Sequence, residues 1–376
     1  MKKILSFLLL LFIISDYAWA KENSAIWNGR ADTRWYKASE SEFIITTPEQ
    51  LAGLAKLVNK GNSFKGKTVK LGANIMLNDT SGWQNWEKKK PKNKWNPIGF
   101  EKYTYYGHIG HLMLSDMIDN YFSGTFDGGG FAVSGVYVSD GTHKGLFGNV
   151  QYGVIKNLGV TASYIRGGSY VGGLVGFIRD SKIINCHSKA LVSGGIFVGG
   201  LAGYISDSDS RIVSSYSTGT VTGRMWTGGL VGIGSGEIIG SYSRATVTGK
   251  ENVGGLVGGL GNIISSYSSG TVTGDSRVGG LVGDLRFYQI TNSYSIGAVT
   301  GISKVGGLVG DIDRGQITNS YYSKETSKQN DTGKGEGKTT AEMRKKETFE
   351  GWDFDRTWGI DGKVNGGYPY LRSFKR

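Results

Sequence analysis

Apolar residues through the middle of the chain come in segments of four to six positions set off by glycine, and the pattern returns on a fixed period. Aligned on the leucine of G-L-x-G, the repeats fall at Leu146, Leu174, Leu201, Leu230, Leu256, Leu281 and Leu308, with steps of 25 to 29 residues. A period of that size marks a stacked architecture in which each unit buries its apolar face only against its neighbours. Val, Ile, Thr and Tyr dominate the segments, and glycine at this density would cost a helix about 1 kcal/mol per residue. Each unit therefore reads as strands with turn punctuation, and a leucine-rich horseshoe is excluded because no unit holds a helical stretch.

Three columns run through the second segment of each unit. Isoleucine stands at 155, 183, 212, 238, 263, 290 and 317; two residues on stand Asn157, Asn185, Ser214, Gly240, Ser265, Asn292 and Asn319. Two further on come His187, Tyr216, Tyr242, Tyr267, Tyr294 and Tyr321, and period-two alternation places all three columns on one face. That parity makes the tyrosines core residues, inward or at the bend. A fourth column, Val192, Val221, Val247, Val272 and Val299, heads a short "xVTG" strand. The fold predicted is all-β: a parallel β-helix of seven coils over 145–321, stacked at about 4.8 Å per coil. The Asn/Ser/Gly column suits a bend, because these side chains tolerate left-handed backbone and bond to adjacent main chain.

Stacked strands need caps at both ends. At the N-terminal end, "TTPEQLAGLAKLVNKG" (46–61) predicts a helix capped by Thr47 with Pro48 and Gln50, carrying the stripe Leu51, Leu54, Ala55, Val58 and ended by Gly61. Residues 21–144 form this cap and the first coils, at 67–78, 95–99 and 122–138, with an inserted loop at 100–121. Residues 322–376 read as a polar, glycine-rich linker, a short capped helix at "TTAEMRK", and an aromatic plug of Phe349, Trp352, Phe354, Trp358, Tyr368 and Tyr370.

Lys2 and Lys3 before an apolar run from Ile4 to Ile14, then Ala18-Trp19-Ala20, read as a signal peptide over 1–20 cleaved after Ala20. No later apolar run is long enough to span a bilayer, so the expected place is secreted or at the cell surface, with the periplasm as the alternative. The single cysteine, Cys186, excludes an intrachain disulfide. The formal charge of +12 is spread thinly apart from "KKKPKNK" at 88–94, a solvated loop. Nucleic acid is a poor partner for such a chain, which has no aromatic-basic platform.

The units "VGGLVG" and "ITNSYSIGAVTG", with "TTPEQLAGLAKLVNKGNSFKGKTVKLGANIMLN", "NPIG", "FSGTFDGGG" and "GKTTAEMR…FEGWDFDRTWGI…GGYPYL", resemble GLUG-motif repeat proteins and their flanks over nearly the whole chain. That family comprises bacterial surface and secreted proteins, adhesin-like proteins and the non-catalytic part of some immunoglobulin A proteases among them. The resemblance implies a right-handed β-helix on the cell exterior and no particular ligand. Two departures are the long 100–121 insertion and Ser where the family pattern often has Cys, kept here only at Cys186.

The functional expectation is an exported, non-catalytic adhesion or binding module for a glycan, cell-surface or matrix component, without cofactor or metal. Tyr103, Tyr105, Tyr106, His108 and His111 in the insertion are the candidate ligand-binding residues. His108, His111 and Asp116 lack a recognised ligand spacing, and Asp207 with Asp209 lacks a calcium-repeat pattern. The alternative is a polysaccharide-degrading enzyme of pectate-lyase-like type, which needs clustered acids. Asp284 and Asp311 stand at equivalent places one coil apart, and with Asp313 they read as solubilising turn residues. A protease is disfavoured: no His-Glu-x-x-His occurs, and adjacent Cys186 and His187 point to opposite faces of a strand.

Overall fold

The computed structural model describes residues 25–374 except 110 and 111, and of residues 101–119 the backbone alone. The signal peptide expected at 1–20 lies outside the described residues.

Four parallel sheets run along the molecule. The isoleucine sheet has ten strands, from Glu42–Ile45 and Thr68–Leu71 to Gln316–Thr318. The tyrosine and valine segments share a sheet of fourteen strands, and sheets of six and seven strands carry the "VGG" and "GLVG" segments. Every inter-coil pair in these four sheets is parallel, and like stacks on like, Ile238 beside Ile263, Val247 beside Val272, Tyr267 beside Tyr294, with one bulge between Thr161 and Ser163. The repeat leucines follow suit, the Leu230 amide donating to the Leu256 carbonyl at 2.8 Å and the Leu256 amide to Leu281 at 2.9 Å. All seven leucines are fully buried. The chain is thus a β-solenoid with the predicted coils, and stacking begins earlier than the repeats, at Glu42.

The predicted helix forms as Pro48–Val58, with the capping box between Thr47 and Gln50 complete. It closes with the Asn62 amide on the Leu57 carbonyl and the Gly61 amide on Val58, Gly61 taking φ +100°. Leu51, Leu54, Ala55 and Val58 join the same apolar cluster as the bore residues Ile45, Val69 and Phe126.

The bend column behaves as its composition requires. Asn157, Asn185, Ser214, Gly240, Ser265, Asn292 and Asn319 all have φ between 45° and 54°. This left-handed residue has a consequence that alternation misses: it reverses the parity of the positions beyond it. The next residue points into the bore (Leu158, Cys186, Ser215, Ser241, Ser266, Ser293, Ser320), and the tyrosine after it points out. The expectation that isoleucine and tyrosine share a face is therefore corrected.

The inward serines replace what the bend takes from the backbone ladder. Each Oγ accepts the amide of the preceding coil, as Ser266 does from Ser241 at 3.1 Å, and donates to the carbonyl two residues back, Ile264, at 2.8 Å. The same pair of bonds recurs at Ser215, Ser241, Ser293 and Ser320. Cys186 holds this place one coil earlier, its thiol pushed up to about 12 by burial. Across the narrow bore a second serine column meets glycine: a Cβ on Gly229 would lie 2.1 Å from the Gly255 carbonyl oxygen and 2.2 Å from Ser243 Oγ.

The C-terminal region departs from expectation three times. Residues 324–338 are no linker, since their polar groups serve the open edge of the last coil. Asp331 accepts the Gly307 amide at 2.8 Å, and Lys334 Nζ donates to the Val305 and Gly310 carbonyls at 3.0 Å. Tyr322 closes the bore in line with Ser295, its hydroxyl donating to the Asp331 carbonyl. The aromatic segment is not an end plug either. It lies sideways over the outward tyrosines and builds a second core with them. The expected "TTAEMRK" helix is a single 3-10 turn, Glu342–Arg344, with Thr339 Oγ1 accepting the Glu342 amide and the Glu342 carboxylate accepting the Thr339 amide.

Candidate functional site

The insertion, expected as a loop, forms two antiparallel strands, Phe100–Ile109 and Leu112–Asn120. Tyr103, Tyr105, Tyr106 and His108 fall on its first strand. Their side chains, and His111 entirely, lie outside the described residues.

The tyrosine column is a ladder of parallel rings. Centroids are 5.0 Å apart from His187 to Tyr216 and 4.9 Å from Tyr216 to Tyr242, Tyr242 to Tyr267 and Tyr267 to Tyr294. Trp352 and Trp358 pack against Tyr294, and Phe374 stands edge-on to Tyr216 and Tyr242. The Tyr294 hydroxyl accepts from Asn365 and donates to the Pro369 carbonyl. Burial drives its pKa well above the ordinary tyrosine value, and raises those of Tyr242 and Tyr267 as well. This ladder is covered core, as expected from the sequence, although it faces away from the bore.

A different pair of columns faces outward on another corner. One is the residue before "VGG": His143, Tyr170, Phe197, Trp226, Asn252, Arg277 and Lys304, all with φ between 51° and 59°. The other is the third residue after the repeat leucine: Asn149, Phe177, Tyr204, Ile233, Gly259, Asp284 and Asp311. The left-handed kink drops the first column out of the strand ladder and turns its side chains toward the second.

Three successive coils of this stripe are aromatic. Tyr170 stacks on His143 at 4.5 Å, Phe177 lies parallel to Tyr204 at 5.5 Å, and Tyr170 meets Tyr204 edge-on at 5.7 Å. Tyr170, Phe177, Phe197, Tyr204 and Trp226 all remain partly exposed. Trp226 sits over Gly259, where a Cβ would lie 2.2 Å from the indole ring.

Two coils further on the stripe turns ionic. Arg277 contacts Glu251 at 2.6 Å and Asp311 at 3.2 Å, while Lys304 reaches Asp311 at 2.7 Å. Burial works to raise the Asp311 pKa, but the hydrogen bonds and charges of Lys304 and Arg277 outweigh it and hold it below the ordinary value. Asp284 stands beside Asp311 as coil stacking predicts. It is no solubilising surface group, however: it is 1 % exposed, and Arg286 binds it at 3.0 Å. Among the described residues no group of three or more His, Cys, Asp or Glu is clustered to hold a metal. Lys88, Lys89, Lys90 and Lys92 form an exposed basic loop, as expected.

The stripe was not among the sequence-derived candidates. Its signal is the variation at the position before a "VGG" whose valine varies only at Thr227 and Lys144, aromatic in three units and charged in two.

Parallel strands in long in-register stacks around one apolar bore define a parallel β-helix. No protein-family profile matches the chain. A Gly-rich membrane protein of Evansella cellulosilytica, so named provisionally, is 52% identical over 42 residues, 11% of this chain and 5% of that protein's length. A crystal structure from Bacteroides ovatus, provisionally named an immunoglobulin A1 protease, superposes with a TM-score of 0.55 over 90% of this chain and 94% of that one, at 19% identity. That likeness is one of fold. Among the described residues no helix is long and apolar enough to cross a membrane.

Proposed function

We propose that the protein is an exported, non-catalytic binding module of the cell exterior, and that the stripe from His143 to Lys304 is its contact surface. The observation that carries this is the set of five partly exposed aromatic side chains on three consecutive coils, held at fixed spacing by a rigid stack. Aromatic side chains bring large contact area at low entropic cost, and exposed ones concentrate at recognition surfaces. The ligand class is a glycan or matrix component of a cell surface, long enough to follow several coils. The GLUG-repeat resemblance supports the same reading.

The test is a glycan array with a whole-cell binding assay, using the protein and a Tyr170→Ala/Trp226→Ala double variant. Binding that the double variant loses, at unchanged melting temperature, is the expected result. Blank arrays and cells, or binding indifferent to both substitutions, refute the reading.

A second reading is hydrolytic, suggested by the provisional protease name of the Bacteroides ovatus structure and by β-helix polysaccharide enzymes. Asp284 and Asp311 are the pair that coil stacking brings together, with Arg277 between them, Arg286 on Asp284 and Lys304 on Asp311. Cleavage of immunoglobulin A, or release of reducing ends from acidic or neutral polysaccharide, would establish that activity in place of the first.

A further inference from the structure

The "VGG" valines form a bore-facing column, Val171, Val198, Thr227, Val253, Val278 and Val305, paired coil to coil. At its first coil the column holds lysine: Lys144 pairs with Val171. The side chains run alike, for a Cβ on Gly167 would lie 2.9 Å from both Lys144 Cγ and Val171 Cγ2. The stem takes the valine's place and the ammonium runs out toward the exposed Gly141, where a Cβ would lie 3.1 Å from Lys144 Nζ, so the lysine is half-buried, and a partly desolvated cation is costly unless compensated. Asp140, the acid whose charge acts on Lys144, is bound by Lys94 at 2.9 Å, and Lys144 makes no salt bridge among the described residues. Burial first, and then the Lys94 charge, push the Lys144 pKa down, with Asp140 opposing.

Lys144 lines a cleft of about 700 Å³ between the N-terminal segment, the capping helix and the first coils. Trp27 forms part of the wall, partly exposed and fixed by its indole N–H on the Arg30 carbonyl at 2.7 Å and by edge contact with Trp95 at 5.7 Å. Lys56, exposed, and Lys60, likewise exposed, come from the helix and its C-terminal turn. The three ionisable residues in the lining are all lysines. The size is that of small-molecule sites, which run to roughly 300–1,000 Å³.

We propose that this cleft is a second binding site, separate from the stripe, for a carboxylate-bearing sugar, with Lys144 meeting the carboxylate and Trp27 the sugar ring. A cation without a salt-bridge partner in a low-dielectric wall rewards an anion more than a surface lysine does. The indole face favours a pyranose over a bare inorganic anion. Lys56 and Lys60 add a field that draws the ligand in and is screened by salt.

The experiment titrates the full chain with oligosaccharides of galacturonic acid, glucuronic acid and sialic acid, and with the matching neutral sugars. The expected result is binding of at least one acidic probe over its neutral counterpart, weakened by added salt. Lys144→Met should lower that affinity about tenfold or more. Lys56→Ala/Lys60→Ala should lower it severalfold, and Trp226→Ala should leave it unchanged. Lys144→Met restores the apolar column, so its melting temperature should hold or rise, which separates lost binding from lost folding. No acidic probe bound, equal affinity for neutral sugars, or full affinity in Lys144→Met would overturn the site. Loss of binding in Trp226→Ala as well would overturn its separateness from the stripe.

Discussion

At each bend one left-handed residue turns the chain, and the serine after it supplies the bonds the turn removes. In Ser266→Ala the Ser241 amide and the Ile264 carbonyl lose their buried partner together, a loss of roughly 1–3 kcal/mol. Ser266→Cys should cost less, because Cys186 occupies the same column and its thiol reaches the Ile184 carbonyl. Denaturant unfolding of the two variants checks the order, and equal stability of Ser266→Ala and the unaltered protein would contradict it. The left-handed bend residues were legible in the sequence, since Asn, Ser and Gly in one column announce them. The reversal they impose was not, because the alternation rule assumes an unbroken strand on both sides of the bend.

The ring ladder and the aromatic segment over it behave as one element. Tyr267 is 2 % exposed and stacked on both faces, so Tyr267→Ala should cost about 3–5 kcal/mol and loosen residues 349–374 without touching the stripe. Ligand binding should therefore survive at temperatures where the variant is folded. Alkali tests the same element. Burial raises the Tyr242, Tyr267 and Tyr294 values above the ordinary 10.0, so their neutral forms favour the folded state. That contribution is complete below pH 10 and is lost as pH rises through the folded values. Trp352 and Trp358 fluorescence should report release of the segment only above pH 10; ionisation of these tyrosines at 10 with unchanged fluorescence would contradict the packing. The aromatic run was legible as apolar cover but not where it lies, because composition does not say whether a segment seals an end or a side. Residues 324–338 misled for a related reason: Asp331 and Lys334 read as linker polarity, yet their partners are backbone atoms of the last coil, which no local pattern reveals.

For the whole molecule, the constant positions build the solenoid and the variable positions beside them distinguish one coil from the next. Leu, Ile and Val columns made the architecture readable from period alone. The stripe was present in the same alignment, at the residue before "VGG", but the constant columns dominate the period and hide it. The bore lysine was likewise hidden, since only coil pairing shows that Lys144 stands where other coils place valine. One face of the solenoid is thus open for contact, and the tyrosine face is sealed by its own C-terminal segment. Hydroxyl-radical footprinting of the protein, free and on whatever cells or glycan the proposed binding assay identifies, compares the two in a single spectrum. Protection of Tyr170, Phe197 and Trp226 on binding, with Tyr267 and Tyr294 shielded both free and bound, is the outcome predicted. Unchanged labelling of those three, together with ligand-dependent changes along the tyrosine ladder, would contradict the account.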